Sequence, residues 1–311
     1  MIRKSHIIES IFLKNNHHIT MTPLKKLLHT VDNAIGKFIP DKTFLRIYYR
    51  FKIGKKLNLK NPQRFTEKLQ WIKLNDRNPL YTELVDKHKV KDWVNKRLGE
   101  GHVIPLLGVY DKWNDIDFNK LPDQFVLKCT HNCGVVICQD KKKFDIEKAR
   151  KTIERALKGD YYLSSREWPY KNVPRKILVE KYMVDESGVE LKDYKFFCFN
   201  GEPKLLFIAT DRTIKDEPNF DFFDLEFNHL PIINGHPNSK KPINKPPKFE
   251  EMIEIARELS KGLPHVRVDL FNVNGTIYVG EMTFFHFSGL VKFEPDEWDF
   301  KLGELLKLPS L

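Results

Sequence analysis

A hairpin near the C-terminus constrains the fold of this chain more than any other feature of its sequence. The stretch HVRVDLFNVNGTIYVGEMTFF, residues 265–285, contains two runs rich in β-branched and aromatic residues on either side of Asn274-Gly275. An Asn-Gly pair between two such runs is a strong signal for a tight turn between antiparallel strands. We therefore expect the chain to build at least one antiparallel sheet.

Two acids inside these strands, Asp269 and Glu281, need an explanation, because strands that pack on a core are mostly apolar. Side chains alternate along a strand, so the residues that share a face depend on the length of the loop. A two-residue Asn274-Gly275 turn would put the acids on opposite faces. A three-residue loop that begins at Val273 would gather them on one face. In that second register the shared face carries Arg267, Asp269, Val279, Glu281 and Thr283.

Carboxylates that lie side by side repel each other unless a cation lies between them. Their oxygens are hard ligands of the kind that Mg²⁺ binds in proteins. Arg267 could also neutralise the pair without a metal, and either acid could simply point to solvent on the outer face of the sheet. The pattern alone leaves these three interpretations open.

The composition is that of an ordinary soluble globular protein, long enough for one large core or two to three subdomains. Of the 311 residues, 41% are hydrophobic and 31% are charged. No apolar run is long enough to span a membrane. The first 16 residues are basic, but Glu9 interrupts their apolar run and no small-residue cleavage site follows. They make a poor secretory signal, so the sequence predicts a cytoplasmic protein.

The positive charge is concentrated in the first 60 residues. The net charge is +11, and residues 1–60 hold 13 Lys and Arg against 3 Asp and Glu, a balance of +10. Helical spacing predicts one amphipathic helix that ends at Pro40 and a second that Asp41 caps. The inward residues of the second helix would be Phe44, Leu45, Tyr48 and Phe51. Such helices could lie on an anionic membrane surface or pack on the body of the protein. Nucleic acid is not an expected partner, because the charge does not extend beyond this arm.

Hairpins and helices alternate along the rest of the chain, which predicts an α+β fold with mostly antiparallel sheets. Further hairpins are expected at residues 125–140 and 193–210, and surface loops in the Pro- and Asn-rich residues 211–248. None of the four cysteines belongs to a CxxC pair, so zinc is not expected. The expected segments are a basic helical arm (1–60), a helical region (61–117), a lid subdomain (118–178) and a C-terminal subdomain with the metal site (179–311).

Five segments that could carry chemistry occur in a particular order. A lysine precedes a glycine-containing hairpin loop, an apolar strand ends in Glu-Lys-Tyr, an acid opens the next strand, and R-x-D and E-x-T lie in the last hairpin. The segments are NPQRFTEKLQW, LPDQFVLKCTHNCG, REWPYKNV, LKDYKFFCFNGEPK and VRVDLFNVNGTIYVGEMTFF. Their order resembles the ATP-grasp fold and, more closely, the TupA-like ATP-grasp family of bacterial surface-polysaccharide gene clusters. The resemblance extends from about residue 60 to the C-terminus.

The resemblance implies that ATP and Mg²⁺ bind between two antiparallel sheets. The residues implied to hold the nucleotide are Lys128, His131, Asn132, Gly134, Glu180, Lys181, Tyr182 and Asp193. Those implied to bind the metal are Asp269, Glu281 and Thr283. Those implied to act on the transferred phosphate are Lys128, Lys195 and Arg267.

Within this set, the resemblance gives each part a role. Lys128 would reach the phosphates, residues 131–134 would form a lid over them, and residues 180–182 would bind adenine through their backbone. Asp193 would hold the ribose hydroxyls. The chain departs from the wider pattern in having one glycine in the lid, and in having Thr283 where most relatives outside the family have a metal-binding Asn.

The activity that the resemblance implies is ADP-forming carboxylate–amine ligation through an acyl phosphate. The expected reactants are a uronic acid, free or in a lipid-linked glycan, and an amino compound, used in the synthesis of capsule or O-antigen. The candidates for contacting these substrates are Arg166, Trp168, Arg212 and His286. A glycan kinase would use the same nucleotide site. A glycosyltransferase is a further alternative, although the chain has no doubly wound pattern.

Overall fold

The structure is a computed structural model that describes residues 38–211 and 218–310. Most of the first predicted arm helix, and Arg212, lie outside the described residues. The helices are α1 (Asp41–Ile53), α2 (Phe65–Asn75), α3 (Leu80–Val85), α4 (Lys89–Leu98), α5 (Ile146–Lys158), α6 (Tyr161–Ser165), α7 (Phe249–Ser260) and α8 (Glu297–Leu305). The strands are β1 (Leu106–Tyr110), β2 (Phe125–Cys129), β3 (Val135–Cys138), β4 (Ile177–Lys181), β5 (Asp193–Phe199), β6 (Glu202–Thr210), β7 (Asn219–Phe223), β8 (His229–Leu230), β9 (His265–Val273) and β10 (Thr276–Thr283).

The strands form two sheets, and the predicted α+β class is confirmed. The small sheet has the order β1-β4-β2-β3, and the large sheet has the order β10-β9-β5-β6-β7-β8. Neighbouring strands are antiparallel in both sheets. The predicted hairpins at 125–140 and 193–210 are β2–β3 and β5–β6.

The prediction for residues 211–248 was wrong. Residues 211–248 were expected to form only surface loops, but they contain β7 and β8. Every residue of β7 is buried, and Phe222 pairs with Phe207 of β6. The run NFDFF alternates polar and apolar residues over four positions only, which is too short to reveal a strand, and the flanking Pro and Asn residues indicate loop.

The small sheet packs one face on α5 and leaves the other face for polar groups. Phe125, Leu127 and Cys129 of β2 share a core with Ala149 and Ile153 of α5. The Asp145 side chain caps this helix by accepting the backbone N–H of Lys148. Since side chains alternate, Val126 and Lys128 point away from this core. The helix therefore determines which face of the sheet is left open for a ligand.

The large sheet is covered by different helices on its two faces. Phe196 of β5 contacts Phe249 of α7 on one face. On the other face Phe197 and Phe199 pack against Phe65 of α2. Lys195 and Asp193 lie on this second face by alternation, beyond the end that α2 covers. Hydrophobic packing thus covers one end of this face, and charged residues lie at the other end.

Helix α1 packs on the body of the protein, which is one of the two alternatives expected for the arm. Its buried residues form a small core with two residues from outside the helix. The members are Phe44, Leu45, Tyr49, Ile53, Leu57 and Leu290. The Tyr49 hydroxyl also lies 2.9 Å from the Thr66 hydroxyl of α2. Phe51, which was expected to face inward, is 37% exposed, because the buried stripe follows the fourth-residue spacing from Leu45 through Tyr49.

The register of the C-terminal hairpin corrects the expectation of a three-residue loop. The turn is the two-residue Asn274-Gly275, with φ of 53° and 85°, and Val273 pairs with Thr276. A bulge at Gly280 then shifts the register by one residue. The resulting pairs are Glu281 with Asp269 and Thr283 with Arg267, whereas Val279 pairs with Leu270. The acids share a face because of the bulge, and Val279 does not lie with them.

Glycine is required at this bulge for a steric reason. A Cβ at residue 280 would lie 2.5 Å from Cε2 of the Phe271 ring. That distance is far shorter than any ordinary carbon–carbon contact. Only a residue without a side chain lets β10 approach β9 here and carry Glu281 to its position opposite Asp269.

Candidate active site

The open face of the small sheet carries a buried carboxylate between two lysines. Lys128 Nζ lies 2.6 Å from Glu180 Oε2, and Lys91 Nζ lies 2.6 Å from Glu180 Oε1. Lys91 also donates to the Ile104 carbonyl at 3.0 Å. The Glu180 side chain is 5% exposed, so the three groups form a compact charged cluster on β2, β4 and α4.

The pKa shifts in this cluster show whether burial or ion pairing has the larger effect on each group. Burial alone would raise the pKa of Glu180, but Lys128 and Lys91 hold it below its ordinary value. Burial lowers the pKa of Lys91 despite the attraction of Glu180. Glu180 is therefore charged near neutral pH. Sequence reasoning missed Lys91, although a lysine within the apolar stripe of a helix, next to Val90 and Val94, is a signal for a buried charged partner.

The large sheet carries a row of acids and bases across three neighbouring strands. Lys195 of β5 pairs with Asp269 of β9, which pairs with Glu281 of β10. Lys195 Nζ lies 2.6 Å from Asp193 Oδ2 and also contacts Asp269 Oδ2. Asp193 therefore lies in the charged row. The structure brings together every residue that the resemblance linked to metal and phosphate on this sheet.

Arg267 binds Asp269 with a two-pronged contact. Its Nε donates to Oδ1 and its Nη2 donates to Oδ2, both at 2.7 Å, and Nη2 also lies 3.1 Å from the Thr283 hydroxyl. Burial would raise the pKa of Asp269, but Arg267 and then Lys195 lower it below its ordinary value. Arg267 therefore neutralises Asp269 directly. Among the described residues, Arg267 forms no ion pair with Glu281, whose partner is Lys87.

The donor set of this row fits Mg²⁺ that arrives with a nucleotide. Among the described residues, no three His, Cys, Asp or Glu side chains are grouped so as to hold a metal alone. Mg²⁺ in nucleotide sites is usually held by one or two carboxylates together with phosphate oxygens. Asp269 and Glu281 lie opposite each other with the Thr283 hydroxyl on the same face. Asp269 Oδ1 accepts one hydrogen bond, from Arg267, so it keeps a lone pair for a metal.

His286 supports Arg267 from the side away from the acids. Arg267 Nη1 donates to His286 Nδ1 at 2.7 Å, and His286 Nε2 lies 2.7 Å from Asn234 Oδ1. A guanidinium can only donate, so Nδ1 is the acceptor and Nε2 carries the proton. Burial, followed by the charge of Arg267, lowers the pKa of His286 well below its ordinary value. His286 was a candidate for contacting substrate, but it is 2% exposed and orients the arginine instead.

The loop between β2 and β3 turns its side chains toward α5. Asn132 Nδ2 donates to the Ala156 carbonyl at 2.5 Å, and the Gly134 N–H donates to Asn132 Oδ1 at 2.8 Å. His131 Nε2 lies 3.3 Å from the Gly159 carbonyl, and the residue is 2% exposed. A Cβ at Gly134 would lie 2.5 Å from Ala156 Cβ. The side chains predicted to hold phosphate thus anchor the loop, and its backbone is what remains for a nucleotide.

Lys87, at the junction of α3 and α4, joins this loop to the acids of the large sheet. Its backbone N–H donates to the Thr130 carbonyl at 3.3 Å, and its Nζ lies 3.6 Å from Glu281 Oε1. Burial alone would lower the pKa of Lys87, but Glu281 raises it above its ordinary value. Sequence reasoning did not identify this lysine. One residue therefore contacts both walls of the site.

Lys181 and Tyr182, at the end of β4, belong to the segment predicted to bind adenine and border an open cleft. The Lys181 N–H donates to the Pro105 carbonyl at 3.0 Å, and the Tyr182 hydroxyl accepts from Gln139 Nε2 at 2.7 Å. A cleft of about 850 Å³ is lined by these residues and by the segments before β2 and after β3. The backbone N–H of Lys181 is thus hydrogen-bonded within the protein, and the cleft beside it is large enough for a heterocycle.

The substrate candidates before β4 are placed differently from one another. Arg166 is 2% exposed, its Nε lies 3.2 Å from Asp41 Oδ1, and its guanidinium covers the Phe44 ring at 4.0 Å. It therefore anchors α1, which corrects its assignment to a sugar acid. Trp168 stacks on Tyr81 at 5.9 Å and has a buried indole N–H without a hydrogen-bond partner among the described residues. Trp168 stays a candidate.

The site lies on two antiparallel sheets. One sheet carries a Lys–Glu–Lys cluster, and the other carries a row of acids and bases. This arrangement is that of an ATP-grasp protein. A family model described as TupA-like ATPgrasp matches residues 67–307. The chain belongs to this family, and the membership predicted from the five segments is confirmed.

Several solved structures match this chain at low sequence identity. An L-amino acid ligase from Bacillus licheniformis is 15% identical, with a TM-score of 0.48, over 88% of this chain and 64% of its own. A D-alanine–D-alanine ligase from Bacillus anthracis, complexed with ATP, is 16% identical, with a TM-score of 0.38, over 70% and 55%. The D-cycloserine synthetase DcsG is 18% identical, with a TM-score of 0.39, over 74% and 72%. The chain thus spans less than two thirds of the first two. No curated protein matches in sequence.

Proposed function

We propose that this protein is an ATP- and Mg²⁺-dependent ligase that joins a carboxylate to an amine and releases ADP and phosphate. The observation that supports this function best is the charged row on β5, β9 and β10, with Lys195, Arg267, Asp269 and Glu281 on one face. Positive groups beside paired carboxylates suit a metal-bound triphosphate, and phosphoryl transfer depends mainly on positioning and charge neutralisation.

The proposed reaction has two steps that the same groups can serve. An oxygen of the substrate carboxylate attacks the γ-phosphorus, the bond from that phosphorus to the bridging oxygen breaks, and ADP leaves. The amine nitrogen then attacks the acyl carbon, the C–O bond to phosphate breaks, and the nitrogen loses a proton. Arg267 and Lys195 would hold the transferred group, and Lys128 would hold the distal phosphates. Bound Mg²⁺ would supply Lewis-acid neutralisation of the phosphate oxygens.

The substrates that we propose follow from the polysaccharide setting of the family. A uronic acid, free or in a lipid-linked glycan, would supply the carboxylate, and an amino compound would supply the nucleophile, in capsule or O-antigen synthesis. Trp168 supports this proposal, because a half-buried indole can stack on a sugar ring and donate its N–H. Arg212, which lies outside the described residues, stays a candidate for the carboxylate.

The experiment that tests the function first identifies the nucleotide that binds and then identifies the product that forms. Thermal unfolding is measured with ATP, ADP, GTP and UDP-sugars, each with and without Mg²⁺, because a ligand that binds the native state raises the unfolding temperature. Stabilisation by Mg·ATP is expected. Uronic acids and amino compounds are then added, and ADP, phosphate and product mass are measured. An amide together with ADP supports the ligase, whereas a phosphorylated glycan without free phosphate would show a kinase.

Lys128→Ala is expected to weaken ATP binding more than ADP binding, by about tenfold in the ratio of dissociation constants. The physical reason is that Lys128 lies at the end of β2, where the loop begins, and would contact the distal phosphates that ADP lacks. Titration calorimetry with Mg·ATP and Mg·ADP provides the measurement. The matched control is Lys143→Ala, because the Lys143 side chain is 86% exposed and pairs with Asp140 on the surface. Equal losses for both nucleotides would show that Lys128 only neutralises Glu180.

We also propose that the basic arm brings the enzyme to the anionic inner face of the cytoplasmic membrane. None of the described helices is long and apolar enough to cross a bilayer. Helix α1 exposes Ile47 and Phe51 at 45% and 37%, beside the exposed Arg46 and Arg50. Each basic residue at such a surface contributes about 1 kcal/mol, screened by salt. Full-length protein should sediment with anionic liposomes at low salt, and a variant without residues 1–37 should sediment less. Sedimentation unaffected by salt or lipid charge would contradict this proposal.

A further inference from the structure

Glu167 is a buried carboxylate whose charge is not balanced by direct contact with a cation. The residue is 2% exposed and precedes the short 3-10 helix Trp168–Asn172. Its Oε1 is buried without a hydrogen-bond partner, and among the described residues no Lys, Arg or His nitrogen is in ion-pair contact with it. A buried charge of this kind is costly unless it is paired, so its presence calls for an explanation.

Lys73, whose charge acts on this carboxylate, makes its hydrogen bonds to other groups. Lys73 Nζ donates to the Ser165 carbonyl at 2.8 Å, the Ser288 carbonyl at 2.9 Å and the Ser288 hydroxyl at 2.6 Å. An ammonium group has three donors, so these contacts use all of them. The Ser288 hydroxyl in turn lies 3.3 Å from the carbonyl of Ser165, two residues before Glu167. The charge of Lys73 lowers the pKa of the Glu167 carboxyl without an ion-pair contact.

The segment that presents Ser288 is held in an unusual backbone conformation. Phe287 and Ser288 have φ of 45° and 58°, a region that residues with side chains rarely adopt. Such residues persist where the surrounding structure enforces them, often at ligand sites. The segment follows directly on β10, which carries Glu281 and Thr283. The strain thus lies between the charged row and the Glu167 carboxylate.

The segment that carries Glu167 packs against the segment that follows the charged row. Lys73 Nζ joins the two, because it contacts the Ser165 carbonyl, two residues before Glu167, and the Ser288 hydroxyl, five residues after Thr283. In keeping with this placement, the charges of Glu281 and Arg267 both act on the pKa of the Glu167 carboxyl. Burial raises its pKa above the ordinary value, which is the direction expected for a carboxylate without a direct cation.

We propose that Glu167 binds the amino group of the nucleophile through the unpartnered Oε1 and takes up its proton. This assignment rests on the proposed ligase function. Glu167 first takes one proton from the bound ammonium group, which frees the lone pair of the nitrogen. The nitrogen then attacks the acyl carbon, the C–N bond forms, the C–O bond breaks, and phosphate leaves with the electron pair and takes up the second proton of the nitrogen. An amine is the class of ligand that supplies both the donor and the positive charge that Oε1 lacks.

The test uses two probes that differ only in the group that Glu167 would recognise. Glycinamide carries an ammonium group, and glycolamide carries a hydroxyl in its place. Their affinities for the full-length protein are measured by calorimetry in the presence of Mg²⁺ and a non-hydrolysable ATP analogue. Wild-type protein should prefer glycinamide, and Glu167→Gln should lose that preference by about tenfold to a hundredfold. The Gln side chain keeps the shape, and Glu154→Gln on the surface of α5 is the matched control.

A second readout separates the amine site from the ligase function. Hydroxylamine is largely uncharged at neutral pH and traps acyl phosphates directly, so hydroxamate formation from a uronic acid reports the first step alone. Glu167→Gln should form hydroxamate at the wild-type rate and lose amide formation with glycinamide. Absence of a preference for glycinamide in the wild type, or its survival in Glu167→Gln, would overturn the assignment. A preference that depends on Glu167 without ADP release would keep the amine site and remove the ligase function.

Discussion

Glu281→Gln is expected to lower ATP-dependent turnover by about a thousandfold or more while the protein stays folded. Glu281 lies opposite Asp269 across β9 and β10, so it completes the pair of carboxylates that would hold Mg²⁺. Its side chain is 31% exposed, and its ion pair with Lys87 is long at 3.6 Å. Removal of its charge therefore costs little stability, since partly exposed pairs contribute little. ADP release, magnesium titration of ATP binding and thermal unfolding are measured together.

Asp269→Asn should lose turnover to the same extent but should also destabilise the protein. Arg267 and Lys195 would lose the buried acid that both contact, and an uncompensated buried charge is costly. Because these cations hold the pKa of Asp269 below its ordinary value, the stability they provide is present at neutral pH and is lost as the pH falls through the lowered pKa. Asp111→Asn, with a side chain 71% exposed, is the control. Full turnover in Glu281→Gln would remove the metal assignment whatever happens to the Asp269 variant.

Deletion of residues 1–57 is expected to unfold the protein, whereas deletion of residues 1–37 is expected to leave it folded. The longer deletion removes five side chains that bury against α2 and Leu290. Each such side chain contributes about 1.5–3 kcal/mol, which together is comparable to the stability of a whole domain. Thermal unfolding and the yield of soluble protein provide the measurement.

The paired deletions also test the segment boundary that the charge pattern placed near residue 60. A cooperative transition and Mg·ATP binding in the variant without residues 1–57 would show that the arm is a separate unit. The shorter deletion is the internal control, because it removes only residues that lie N-terminal to α1 and to its contacts with Tyr162 and Arg166. Loss of folding in that variant would mean that the first arm segment contributes to the core.

The sequence predicted which residues lie together better than it predicted their contacts. The order of the segments identified Lys128, Glu180, Lys195, Arg267, Asp269 and Glu281, and the structure groups them into two clusters. Period-two and period-3.6 patterns indicate which face a residue occupies, so the faces were predictable except for Phe51 and for the part of β10 beyond Gly280. The identity of a hydrogen-bond partner depends on tertiary packing. The engagement of Asn132 by Ala156, and of His286 by Arg267 and Asn234, therefore could not be derived.

The register of the last hairpin also depends on a tertiary contact that the sequence did not reveal. The Asn274-Gly275 turn was visible in the sequence, but its two-residue length contradicted the requirement that the acids share a face. A longer loop was the expected resolution, and the structure uses a bulge instead. Gly280 was the available signal, since an isolated glycine inside a strand often marks a bulge. The glycine is required by the Phe271 ring across the ladder, a contact between strands that no local pattern reveals.

The bulge at Gly280 limits how the length of this hairpin can change. Regular pairing from the turn would place residue 280 opposite Asp269, and the bulge brings Glu281 to that position instead. Removal of one residue between the turn and the bulge would move Glu281 by one pairing position along β9, and one position of slip moves a side chain to the opposite face. Removal of two residues from each strand beside the turn would keep Glu281 opposite Asp269 and keep the alternation of hydrogen-bonded pairs at the turn. Single insertions and deletions between Asn274 and Gly280 should therefore inactivate the protein, whereas matched changes of two residues in each strand should be tolerated. The two strands of the hairpin must change together, and function depends on their match more than on the length of either strand.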